Sequence, residues 1–143
     1  MKLSILSFIL IFFAINDCSN EAQEEIKSVS YKTYTRGSSS TYTITPEVIK
    51  VISTGFDARE RTIKISEEQW NTIISEVKKI DVSKIENLEA PTESRASDAA
   101  AHAELSLILD DSEYKSSTFD HGNPPNAIKP LIEAILRLAE NLE

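Results

Sequence analysis

Cysteine is nearly absent: Cys18 is the only one in 143 residues. One thiol excludes an intrachain disulfide framework, so a folded domain must be held together by its hydrophobic core alone. An excess of positive charge is missing too, and 15 basic against 23 acidic residues leave a formal net charge of -8. Nucleic acid and anionic lipid both need cationic clusters, which makes them poor partners for this chain. No apolar run reaches the about 20 residues of a membrane-spanning helix. Internal repeats, heptads and low-complexity tracts are lacking apart from Ser38, Ser39 and Ser40. No serine stands in a nucleophile elbow and no other catalytic motif stands out, so the sequence reads as a non-enzyme with no cofactor. With 41% hydrophobic residues the chain is nevertheless not disordered by composition.

What is present starts with an export signal. Lys2 precedes residues 3–15, an apolar core of about 13 residues, and Asn16, Asp17 and Cys18 follow. A thiol directly after such a core resembles the lipobox of bacterial lipoprotein signals, in which the cysteine sulfur receives diacylglycerol and becomes the new N-terminus. Ile15 matches the branched aliphatic of that pattern, whereas Asp17 stands where a small residue is usual. The alternative is an ordinary signal peptide with an incidental Cys18, but no A-x-A-like site lies around Ala14 or Ala22. The resemblance implies a signal over residues 1–18, lipidation at Cys18, and a bacterial envelope protein anchored to the outer membrane on its periplasmic or surface face. Residues 19–25, with Glu21, Glu24 and Glu25, read as an acidic tether. They are similar to the acidic stretch after the lipid cysteine in surface lipoproteins of Bacteroidetes, and a plain flexible linker explains them equally well. Residues 26–143 are enough for one domain and too few for two.

The pattern over residues 26–65 is β. Val29, Tyr31, Thr33 and Thr35 alternate with Ser30, Lys32 and Tyr34, Arg36 and Gly37 mark a turn, and Thr41 to Thr45 runs back. Pro46 marks an edge, bulge or break before Val48 to Ser53 resumes, and residues 54–57 turn into a strand from Arg61 to Ile65. This predicts three antiparallel strands, the second bent at Pro46. Ser66 with Gln69 forms a capping box, and Trp70, Ile73, Ile74, Val77 and Ile80 make one apolar helical stripe. A short turn over residues 81–88 follows. Ala101, Ala103, Leu105, Leu107 and Leu109 alternate as a strand, with a helix over residues 97–102 as the competing reading, and residues 114–119 return as its hairpin partner. Asn126 can cap a last helix in which Pro130 sits near the start and Ile128, Leu131, Ile132, Ile135, Leu136, Ala139 and Leu142 form the stripe. The order β-β-β-α-β-β-α predicts an α+β two-layer sandwich: an antiparallel sheet of about five strands with two amphipathic helices on one face.

Asp98 with His102, and Asp120 with His121, could each orient an imidazole, but no nucleophile accompanies them. A metal set from these four residues lacks ligand spacing, so no metal site is assigned. Arg95, Asp98, Asp120, His121 and Asn123 read instead as a structural polar cluster: Asp98 fixes the loop over residues 91–95, and Gly122 takes a positive φ before Pro124 and Pro125. The candidate binding surface is Tyr31, Tyr34, Arg36 and Tyr42 around the first hairpin, since Tyr and Arg are enriched at interface anchors. Cross-strand aromatic pairing explains the same tyrosines without a partner.

The segment from Phe119 to Pro125, followed by Ile128, Pro130, Leu131 and Ile132, resembles the end of emfourin-type proteins, small inhibitors of thermolysin-like metalloproteases. The order of elements is similar, and an aspartate, Asp98, precedes the strand that ends at Leu109. The whole chain also resembles small flavobacterial lipoproteins that share this segment. The match spans about residues 66–142, carries no inhibitory residue over, and departs from the Gly-rich opening of emfourins. The expectation is a lipid-anchored, non-catalytic domain that binds an envelope or extracellular protein such as a protease, the alternative being a structural envelope lipoprotein with no dedicated ligand.

Overall fold

A computed structural model describes residues 24–140. The residues expected to form the export signal with Cys18, most of those expected to form the tether, and Leu142 lie outside the described residues. The chain folds as an antiparallel sheet in the order β4-β3-β2-β1-β5-β6, with a two-residue β7 also paired to β5. Its elements are β1 (Ile26–Tyr34), β2 (Ser39–Ile44), β3 (Val48–Thr54), β4 (Arg59–Lys64), α1 (Glu67–Val77), β5 (His102–Leu109), β6 (Ser112–Lys115), β7 (Phe119–Asp120) and α2 (Lys129–Glu140). Short 3₁₀ helices, Val82–Asn87 and Ser94–Ser97, link α1 to β5. This is the expected α+β sandwich, with more strands than the expected five.

Two local hydrogen-bonding choices account for the extra strands. Pro46 does not bend one long strand; it sits in a tight turn in which the Thr45 amide donates to the Val48 carbonyl at 2.9 Å and the Val48 amide to Thr45 Oγ1 at 3.3 Å. A residue without an N–H suits that position. At the other edge, Ser116 interrupts the expected return strand. Its amide donates to the Leu105 carbonyl at 2.9 Å, and its hydroxyl accepts from the Leu105 amide at 3.0 Å, so a side chain replaces the ladder acceptor.

One face of the sheet is dry. Val29 and Tyr31 of β1, Ile44, Ile49 and Val51 of β2 and β3, and Ala103, Leu105, Leu107 and Leu109 of β5 are buried in one cluster with the stripes of both helices. Trp70, Ile73 and Val77 come from α1, with Ile74 and Ile80 at its margin; Leu131, Ile132, Ala134, Ile135 and Leu138 come from α2. The Ser66 capping box forms, with Gln69 N to Ser66 Oγ at 3.2 Å and Ser66 N to Gln69 Oε1 at 2.8 Å. Asn126, expected as the cap of α2, instead lies in a turn whose Pro125 carbonyl accepts from Ile128 and Lys129. Pro130 thereby falls in the first turn, where its missing amide costs nothing. Among the described residues all buried core side chains fall between Val29 and Leu138, so a fragment starting at Ser19 keeps that core.

Candidate functional site

Strand alternation separates the tyrosines that the sequence grouped. Tyr31 is fully buried on the helix side, opposite Tyr42 in register, whereas Tyr34 lies three residues on and faces the other way. The four-residue binding surface is therefore corrected: Tyr31 and the half-buried Tyr42 belong to packing. Tyr31 lies 6.1 Å from the Tyr42 ring, 6.3 Å from Phe119 and 6.0 Å from His121, and its hydroxyl is hydrogen-bonded to His121 Nδ1 at 2.8 Å. Burial pushes the His121 imidazole below its ordinary value, favouring the neutral ring. Burial, and then the neighbouring Tyr42, push the Tyr31 phenol well up, so it keeps its proton.

The polar cluster forms around Asp120 and not Asp98. Asp120 is only 2% exposed and accepts from Thr92 Oγ1 at 2.6 Å, Ser94 N at 2.7 Å, Arg95 N at 3.0 Å and the Arg95 guanidinium at 3.0 Å. Burial alone would raise this carboxyl, but the Thr92 hydroxyl, the two amides and the guanidinium outweigh it and hold Asp120 well below the usual carboxylate range. Asn123 Nδ2 donates to Thr92 Oγ1 at 3.0 Å and closes the knot. The expected role of Asp98 in fixing this loop is thus taken by Asp120. Asp98 adopts a φ of 56° at the end of the 3₁₀ turn and reaches outward.

Its partner is the first hairpin. Asp98 Oδ2 meets the Arg36 guanidinium at 2.9 Å, with side chains 60% and 88% exposed, so the pair is labile and worth little on its own. Beside it, Tyr34 stacks on His102 with centroids 5.0 Å apart and planes 11° off parallel, and its hydroxyl donates to Glu104 Oε1 at 2.9 Å. Together Tyr34, Arg36, Arg95, Asp98 and His102, with the alanines at 99–101, line an open cleft of about 500 Å³. The structure thereby joins members of two clusters that the sequence kept apart.

The next hairpin adds an exposed apolar residue that sequence reasoning did not single out. Phe56, in the turn between β3 and β4, is fully exposed. Gly55 before it has a φ of 97°, and a Cβ there would sit 2.6 Å from the Gly37 carbonyl oxygen, so the second tip is seated on the first. An apolar residue in a turn flanked by strands was the available signal.

The two histidines do not converge. His102 lies on the open face with Tyr34, whereas His121 contacts Tyr31 on the helix side. Among the described residues no three His, Cys, Asp or Glu side chains come together to hold a metal ion. The cleft offers a guanidinium, a carboxylate and a stacked aromatic wall, groups that can grip a polar protein segment. Comparison with family models, with curated proteins and with solved structures finds no match for the chain.

Proposed function

We propose that this is an exported lipoprotein, anchored to the outer membrane through Cys18, whose α+β domain is a non-catalytic module that binds an envelope or extracellular protein. The observation carrying the reading is the polarity of the sheet. The chain enters at Ile26 beside Asp110, to which the Glu25 amide donates at 2.9 Å, and the nine residues of β1 cover about 30 Å before the first tip. The tips at residues 35–38 and 55–58 and the loop at residues 94–101 gather at that far end, held together by the Arg36–Asp98 pair and the Gly37–Gly55 contact. An anchor before Ile26 thus presents Tyr34, Arg36 and Phe56 away from the membrane, and surface-held aromatics and arginines are what interface anchors are made of.

A thermolysin-like protease is the first target to assay, on the resemblance of the C-terminal half to emfourin-type inhibitors. The test combines two measurements. Labelling with a palmitate analogue should mark the wild type and not Cys18→Ala. The fragment from Ser19 should recover a specific envelope protein, or inhibit a thermolysin-like protease at stoichiometric concentration, in a manner lost in Tyr34→Ala/Arg36→Ala with folding intact. If neither a partner nor inhibition is found, the structural-lipoprotein reading stands in its place.

A further inference from the structure

The two edges of the sheet are built differently. On one side, β6 has four residues and β7 two, with a break between them, which shortens the exposed ladder. On the other side, β4 runs six residues in unbroken register from Val48↔Lys64 to Ser53↔Arg59, without proline or bulge. Five of its six residues are exposed, and among the described residues it is laddered to β3 alone. Its sequence, Arg59-Glu60-Arg61-Thr62-Ile63-Lys64, carries three cations and one anion, and Glu60 is already met by Lys50 at 2.7 Å. A basic edge on a chain of net charge -8 is a local inversion of the molecule's charge.

We infer that β4 is a docking edge for an extended acidic segment of another protein, which adds to the sheet as a further antiparallel strand. Main-chain hydrogen bonds supply the pairing, and carboxylates opposite the cations supply selectivity. Arg59, opposite Ser53, lies on the helix side of the edge, while Lys64, opposite Val48, points to the open face, so a carboxylate on either face of the incoming strand finds a cation. A second copy of the chain is the poorer occupant, because its own β4 brings the same excess of positive charge. The inference is independent of the tip surface and stands or falls separately.

The probe is an acetylated ten-residue peptide of alternating glutamate and valine, with a lysine–valine peptide as control, titrated into the Ser19 fragment. The glutamate peptide should bind saturably and more weakly as salt rises. At ten times its dissociation constant it should slow hydrogen exchange of the β4 amides not bonded to β3 by about tenfold. Tyr34→Ala/Arg36→Ala should leave this unchanged, whereas the exposed-edge variant Arg59→Glu/Lys64→Glu should abolish it. A glutamate peptide N-methylated at alternate amides tests the ladder without altering the protein and should fail to bind. The inference is overturned if the glutamate peptide does not bind, if the N-methylated peptide binds equally, if protection falls on another strand, or if the fragment alone dimerises through β4.

Discussion

At the scale of single residues, burial decides which of two similar groups is structural. Asp120 and Asp98 are both aspartates near Arg95, but only Asp120 is enclosed by donors, and its lowered pKa makes a signed prediction. A carboxyl depressed in the folded state stabilises it fully above the unfolded value near 3.8, and that contribution is lost as pH falls from there toward the folded pKa. Urea unfolding of Asp120→Asn should show lower stability at neutral pH and a flatter acid limb than the wild type, while Asp98→Asn should match the wild type. His121 has the same sign for a different reason. Its imidazole is lowered by burial, so the unfolded chain binds the extra proton first, and stability should decline as pH drops below about 6.5. His121→Gln should remove that decline, and Tyr31→Phe, which deletes the shared hydrogen bond, should cost about 0.5 to 1.5 kcal/mol in the same assay.

At the scale of elements, most of the fold was legible because the core is periodic. The two-residue period of β5 and the stripes of α1 and α2 are direct traces of one dry sheet face, and the Ser66–Gln69 box marked its helix start to the residue. Leu107→Ala, at a fully buried β5 position, should cost about 2 to 5 kcal/mol by denaturant unfolding. Elements shaped by one side chain or one turn were harder to see. Pro46 is compatible with a bend or a turn until the Thr45–Val48 hydrogen bonds choose, and Ser116 reads as strand until its hydroxyl replaces a backbone acceptor. The alanines at 99–101 favour neither strand nor α-helix strongly enough, and the loop takes its shape from Asp120, more than twenty residues away in sequence. The site was half legible for the same reason. Alternation already put Tyr31 with Val29 and Tyr34 with Lys32, but the pairing of Arg36 with Asp98 is a long-range contact that no local pattern carries. The two tip glycines give a paired prediction. Gly55→Ala places a Cβ against the Gly37 carbonyl at a positive φ and should destabilise by more than about 1 kcal/mol, whereas Gly37→Ala meets open space and should be tolerated within about that amount.

At the scale of the whole molecule, the fold has two unlike ends, and the functional proposal rests on that difference. The entry end carries Glu25 and Lys27 in exposed hydrogen bonds to Asp110 and Asp111; the far end carries the interlocked tips, the cleft and Phe56. The most direct test of the proposal is site-specific photocrosslinking in intact cells, with the crosslinking residue at Phe56 in one variant and at the fully exposed Asp111 in another. The account predicts a discrete protein adduct from position 56 that is absent from position 111 and is lost when Tyr34→Ala/Arg36→Ala is added. Equal adducts at both positions, an adduct at position 111 alone, or lipid as the product at position 56 would contradict it.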